Sequence, residues 1–263
     1  MNRPAWALTW RCLRVWRRDW LVNRQSWKVG FLVPLLEPIF YVAAFGVGFR
    51  LLIPEVHYEG LTVSYVKFMA PSLVATSIMY NAFFENTYSS FVRMYYQKTY
   101  DAIMATPLSI EEVILGEILW GATKSVMAAI IVLAVLSVAG LIHYPSALAV
   151  IPLAFLGGLA FGSAGMVFTG IVKNIDTFNL PIFLFLTPMF LFSGTFFPTD
   201  TLPHWAQMAA QAVPLTHLVH LTRGLCFGIA GWRDVAVAVG YLLVFTALCL
   251  PLALAAMRRR LTR

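Results

Sequence analysis

The chain has 263 residues, 60% of them hydrophobic and only 12% charged, with a formal net charge of +7 and a mean hydropathy of +0.76. A soluble domain carries about 25% charged residues, and here the few charges are segregated between apolar stretches long enough for a bilayer core of about 30 Å. Those stretches are too long and too uniformly apolar for the alternating strands of a membrane barrel. Both a water-soluble globule and a barrel are thereby excluded in favour of an all-α integral membrane protein.

Residues 1–28 interleave arginines with tryptophans. Trp6, Trp10, Leu13, Trp20 and Trp27 recur at the spacing of one helical face, which describes an amphipathic helix lying at the cytoplasmic interface. No continuous apolar core with a small-residue cleavage site marks a secretory signal there. Transmembrane helices are predicted at 30–53, 68–91, 113–136, 148–172, 180–197 and 235–257. Between the second and third lies "QKTYDAIMATPLSIEEV", residues 97–113. Lys98 to Ala105 reads as one or two helical turns that Pro107 ends, and Ser109 with Glu112 has the S-x-x-E spacing of a capping box opening the third span. Tyr100, Ile103 and Met104 are apolar anchors and Asp101 a polar pin on this short piece. Such a knob fits docking to another protein better than a passive turn.

In the third span, "GEILWGATKS" (116–125) approaches the phosphate-loop pattern G-x-x-x-x-G-K-[ST], but Ala122 and Thr123 separate Gly121 from Lys124 and no strand precedes it. In a membrane helix the backbone N–H groups are already bonded, so the chain itself should not bind ATP. Glu37, Glu85, Glu117 and Lys124 fall within or near spans, where an unpaired charge costs several kcal/mol. At 1.5 Å per residue, Glu37 lies about 10 Å and Lys124 about 16 Å from the cytoplasmic end. They are the polar candidates for a translocation path, paired across the first and third spans or lining a wet cavity; a packing salt bridge is the plainer alternative. Phe40, Tyr41, Phe183, Phe185 and Phe190 offer a substrate surface, or lipid and packing contacts.

The stretch 202–228, rich in proline and glycine, contains two short helices, one after Pro203 and one from Leu215 to Phe227. They are too short to span and too apolar to stay in water, so they should form a re-entrant pair before the last span. Leu218, Leu221 and Leu225 share one face, with His217, His220 and Arg223 off it. Pro214, His217, His220 and Arg223 are candidates for an external gate, against the alternative of an inert cap. Two histidines three residues apart without a carboxylate or thiol argue for polar lining over a metal site. Cys12, Cys226 and Cys249 are far apart, and no disulfide is expected.

Topology follows from the basic residues. Arg3, Arg11, Arg14, Arg17, Arg18, Arg24, Lys28, Arg93, Lys98, Lys173, Arg258, Arg259, Arg260 and Arg263 fall on one side of a six-span arrangement, and only Arg50, Lys67, Arg223 and Arg233 on the other. Both termini are therefore expected in the cytoplasm, and the positive charge is explained by topology and anionic lipid, without nucleic acid.

Six spans, an amino-terminal interface helix, a short helix between spans two and three and a re-entrant pair before span six together resemble the permease subunits of ABC-2 type exporters. "YDAIMATPLSIEEVILGEILWGATKS" and "TPMFLFSGTFFPTDTLPHW" are similar to the nodulation J-type permeases of lipo-oligosaccharide export, and "AVPLTHLVHLTRGL" resembles the proline-to-arginine segment, here Pro214 to Arg223, of many ABC-2 permeases. The resemblance implies a single transport domain over residues 1–263 in a bacterial inner membrane. It implies no catalytic residues: a separate ATPase, two copies per permease homodimer, binds ATP and magnesium. It also implies that residues 97–107 form the coupling helix, with Lys98, Tyr100, Asp101, Ile103, Met104, Thr106 and Pro107 contacting that ATPase. Related permeases carry drugs or polysaccharides, and a channel or carrier without an ATPase is the competing class. A secondary carrier should show two related halves, and no internal repeat is evident.

Overall fold

The computed structural model describes residues 10–25, 36, 39–45, 48 and 55–262. The predicted first span at 30–53 and Glu37 fall largely or wholly outside them; residues 39–45 are helical. An amino-terminal helix α1 (Cys12–Gln25) is followed by a β-hairpin, β1 (Glu55–Tyr58) with β2 (Leu61–Ser64), and then by α2 (Tyr65–Phe84). The short α3 (Thr99–Met104) leads into α4 (Ile110–Val138) and α5 (Val150–Ile171). A helical span, α6 (Ile175–Phe192), is followed by the pair α7 (His204–Gln211) and α8 (Pro214–Phe227), and by α9 (Trp232–Leu261).

Among the described residues, four helical stretches are long and apolar enough to cross a membrane: Ile110–Val138, Ser146–Ile171, Ile175–Phe192 and Trp232–Leu261. They match the third to sixth predicted spans, with one shift. The fifth begins five residues earlier than predicted and stops at Phe192, because Gly194 turns the chain at φ +75°. Helix α2 covers residues 68–84 of the second predicted span, 68–91; it carries Lys67, Asn81 and several serines and threonines and is not one of the four.

The all-α expectation needs one correction. Residues 55–64 form an antiparallel hairpin whose pairs run from Glu55 with Ser64 to Tyr58 with Leu61. Its turn residues Glu59 and Gly60 both have positive φ, 46° and 79°, the geometry that matches the twist of a two-residue hairpin.

Helix α5 is central, packing on α2, α4 and α9, while α2 also packs on α4 and α1 lies along α4. The main apolar core joins Met69, Ile78 and Phe83 of α2 to Leu136 of α4, Phe161 of α5 and Leu215 and Leu218 of α8. Gly116 permits the close approach of α1: an added Cβ would lie 2.5 Å from Val15 Cβ and 2.8 Å from the Cys12 carbonyl oxygen. At Gly121 an added Cβ would meet Asn86 Nδ2 at 2.0 Å. The glycines of the phosphate-loop look-alike are thus contact points between helices.

Local chemistry sets the boundaries. Ser109 Oγ accepts from Glu112 N at 3.2 Å and the Glu112 carboxylate accepts from Ser109 N at 2.9 Å, completing the expected capping box of α4. Pro214 occupies the first turn of α8, where its missing N–H costs nothing, and Gly228, at φ +74°, closes that helix in the left-handed conformation. The three cysteines are free.

Both ends of the described chain meet the start of α4. Arg11 donates to the Pro107 carbonyl at 2.9 Å. Arg258 lies 3.8 Å from Glu111, and Arg260 donates to the carbonyls of Thr169 and Val172. The amino-terminal helix, α3 and the carboxyl end of α9 therefore share one end of the bundle, and the hairpin, α7 and α8 occupy the other.

Candidate functional site

At the α3 end, helix α2 continues beyond Phe84 through two π-helical turns, Glu85–Ser89 and Val92–Tyr96. Each wider turn displaces the backbone ladder and re-aims side chains, a feature often found at functional sites. Hydroxyls cover the altered carbonyls: Thr87 Oγ1 donates to Phe83 O at 2.7 Å, and Ser90 Oγ to Glu85 O at 3.2 Å.

The displaced segment carries a buried ionic network. Arg93 donates to Glu85 Oε1 at 2.7 Å and, through Nε, to Glu117 Oε2 at 2.9 Å. Lys124 Nζ donates to Glu85 Oε2 at 2.7 Å, the Trp120 indole to Glu85 Oε1 at 3.1 Å and Ser90 Oγ to Glu117 Oε2 at 2.9 Å. Both glutamates are buried. Charges this deep persist only when paired and hydrogen-bonded. Glu117 and Lys124 stand seven residues apart on α4, two helical turns, so both reach the same face of α2. Lys124 thus has a partner in Glu85; Glu37, its expected partner, lies outside the described residues.

Helix α1 closes this network. Its inner face, Cys12, Val15, Trp16, Asp19 and Asn23, turns toward the bundle, whereas Trp10, Leu13 and Trp20 of the predicted tryptophan stripe are exposed. Trp16 Nε1 donates to Thr123 Oγ1 at 2.8 Å. Asp19 is buried, bonded through Oδ1 to Arg18 at 2.7 Å, and Oδ2 has no hydrogen-bond partner among the described residues. Burial first, and the Glu117 carboxylate second, push its pKa up to about 7, against the opposing pull of Arg93 and Arg18.

The predicted coupling segment is a six-residue helix, α3, entered through Lys98 in the left-handed conformation at φ 53°. Among the expected contact residues, Asp101, Thr106, Pro107 and Lys98 are exposed, and Ile103 and Met104 half-buried. Tyr100 is placed otherwise: it is fully buried, in a cluster with Phe91, Ile114, Met166 and Phe178. It fastens α3 to its own bundle and presents no surface to another protein. The outward face consists of Asp101, Ala102, Thr106 and Pro107, with exposed Tyr95 and Tyr96 beside it.

At the opposite end, three of the predicted gate residues sit on α8 with distinct partners. His217 Nε2 is 2.9 Å from the Gln211 carbonyl and its ring stacks on Tyr241 at 4.1 Å. His220 Nε2 is 2.9 Å from Glu59 Oε1 of the hairpin turn. Arg223, expected off the buried face, is inside it. Its Nε donates to Phe68 O at 3.0 Å, its NH2 group donates to Ser72 Oγ and, at 2.7 Å, to Gly194 O, and its guanidinium lies 3.9 Å from the Phe68 ring centroid. One cation thus joins α8, the start of α2 and the turn after α6. Of the aromatic candidates, Phe40 and Phe183 are exposed, whereas Tyr41, Phe185 and Phe190 pack against the core.

The sequence reading did not join Arg93 or Asp19 to this network. The seven-residue spacing of Glu117 and Lys124 is the one signal that could have found its α4 half; no sequence signal marks the π turns that complete it.

This is a helical membrane domain organised around a braced segment at one end and a tied helix pair at the other. The ABC-2 type transporter family model matches residues 11–227, and the chain belongs to that family. It is 36% identical to Nodulation protein J of Rhizobium leguminosarum bv. trifolii over 260 residues, 99% of this chain and 97% of that protein. It is also 36% identical to Nodulation protein J of Bradyrhizobium diazoefficiens over 260 residues, 99% and 97% of the two chains. The inner membrane transport permease YadH of Escherichia coli is 25% identical over 243 residues, 90% of this chain and 91% of that protein.

Proposed function

We propose that this permease moves an amphiphilic glycolipid or lipo-oligosaccharide from the inner leaflet outward, driven by a separate ATPase that docks on α3. The observation that carries the reading is the construction of α3. A six-residue helix alone is not stable in water, yet this one is pinned by Tyr100 below and the α4 capping box behind, and presents a small outward face. That is the mechanical requirement for passing a push from a partner into α2 and α4. The working unit is two permeases with two ATPase subunits in a bacterial inner membrane, six spans per permease and both termini in the cytoplasm. Cargo enters sideways between the first and fifth spans, and α7 with α8 opens outward.

Likeness to Nodulation protein J along the whole chain favours the glycolipid over a drug or polysaccharide cargo. The test is reconstitution of the permease with its ATPase in vesicles holding a fluorescent glycolipid in the leaflet facing α3. ATP-dependent appearance of the probe in the other leaflet is expected. Equal movement without the ATPase would favour a channel or carrier and overturn the reading.

A further inference from the structure

Helix α1 has two unlike long faces. The inner one is fastened to α4: Val15 packs on Gly116, Trp16 bonds Thr123, and the Trp20 ring lies edge-on to Trp120 at 6.3 Å. The outer one carries Arg14, Arg17, Leu21 and Arg24, at the alternating three- and four-residue steps of a single stripe, with Trp10, Leu13 and Trp20 along its flank. All seven are exposed.

The arginines divide by face. Arg11 is bonded to the Pro107 carbonyl and Arg18 to Asp19. Arg14, Arg17 and Arg24 have no carboxylate partner among the described residues. Asp19, the only acid of α1, is buried on the opposite side. The outer face therefore carries cations without an anion, set among large apolar side chains.

Water would suit the arginines but not the tryptophans and leucines, and an acidic protein surface would satisfy only the cations. The boundary between lipid phosphates and acyl chains suits both. Helix α1 crosses α4 at that level. The 29 residues of α4 make a rod of about 43 Å, longer than a bilayer core of about 30 Å, and its charged residues, Glu111, Glu112, Glu117 and Lys124, all precede Ser125. The contacts with α1, from Gly116 to Thr123, thus fall where α4 passes from polar surroundings into hydrocarbon.

We infer that the outer face of α1 binds anionic phospholipids in preference to zwitterionic ones. Arg14, Arg17 and Arg24 fork onto headgroup phosphates, and Trp10, Leu13, Trp20 and Leu21 lie among the upper acyl chains. A phosphatidylcholine phosphate brings its own choline cation, whereas an anionic phospholipid leaves its charge to the arginine. The lipid held here is a neighbour in the bilayer and not cargo, so the surface stands apart from the exporter reading.

The test uses the full chain with a photo-cross-linking benzoylphenylalanine in place of Leu21, between Arg17 and Arg24. The protein is placed in nanodiscs of equimolar phosphatidylcholine and phosphatidylglycerol with the same acyl chains, and lipid adducts are counted by mass spectrometry after illumination. With one arginine per headgroup, phosphatidylglycerol adducts should exceed phosphatidylcholine adducts by about fivefold. Arg14→Gln, Arg17→Gln and Arg24→Gln together should bring the yields to parity, whereas Arg14→Lys, Arg17→Lys and Arg24→Lys, which keep the charge, should retain at least half of the preference. All three positions are exposed, so both variants should keep the wild-type unfolding temperature. Parity in the unsubstituted face, or a preference unchanged in the glutamine variant, would overturn the surface. Capture of an ATPase subunit in place of lipid in native membranes would assign the face to that protein and overturn it as well. Excess free glycerol phosphate should leave the ratio unchanged; parity in its presence would make the ligand a soluble phosphate ester and overturn the lipid.

Discussion

Replacing Arg93 with methionine isolates the energetic role of the network. Methionine keeps most of the side-chain length and removes the charge. In the structure Arg93 bonds both Glu85 and Glu117, and only Glu85 has a second cation, Lys124. The variant therefore leaves Glu117, fully buried, with one neutral donor, Ser90. Breaking a buried pair by removing one partner costs roughly 3–5 kcal/mol, much of it the burial of the charge left behind. At about 2–4 °C per kcal/mol for a chain of this size, the midpoint of thermal unfolding in detergent should fall by about 6–20 °C. Adding Glu117→Gln to Arg93→Met should recover more than half of that loss, since the orphaned charge is gone, and the cycle should show a coupling on the order of 1–3 kcal/mol. A single variant within about 1 kcal/mol of wild type, or a double variant worse than the single, would refute the assignment of Arg93 as the keystone.

Asp19 makes stability pH-dependent. Its folded pKa of about 7 lies above the ordinary value of 3.8, so the folded state holds the extra proton between those two limits. Stability should be full below about pH 4 and fall by on the order of 4 kcal/mol as pH rises from there through 7; Asp19→Asn should flatten that slope in unfolding measured from pH 5 to 8. Gly116→Val should destabilise by about 1–3 kcal/mol through overpacking and raise protease cleavage within α1, because the new Cβ would lie 2.5 Å from that of Val15. Tyr100→Ala should cost about 3–5 kcal/mol of stability as a cavity mutant, whereas Asp101→Arg should stay within about 0.5 kcal/mol of wild type and still lower ATP-driven transport at least tenfold. Arg223→Lys should lose the forked contact to Ser72 and Gly194, lowering the unfolding midpoint by about 2–6 °C.

Long apolar runs and caps made much of the bundle readable. The third to sixth spans rest on continuous hydropathy, and the α4 boundary on a local signal, the reciprocal bonds of Ser109 and Glu112. Pro203 and Pro214 marked the starts of α7 and α8 because a proline's effect is also local. Tertiary choices were hidden. Tyr100 is an aromatic on a short polar segment, a pattern that fits an outward anchor as well as an inward one; Phe91 and Phe178, distant in sequence, decide it. Arg223 shares a helix face with histidines that remain near the surface, and it is buried because Phe68 O and Gly194 O converge on it from two other elements. The partner of Lys124 depends on the π turns at Glu85, which arise from packing and leave no periodic trace. The hairpin at residues 55–64 is too short for its alternation to stand out beside apolar spans.

The account turns on α3 receiving the push of an ATPase. Ala102→Cys, on the exposed face of that helix, should be cross-linked to the ATPase subunit by a short bifunctional reagent in native membranes, with a yield that changes when ATP is added. Labelling of the same cysteine by an impermeant reagent applied to the outside of intact cells, with no cross-link to an ATPase, would contradict it.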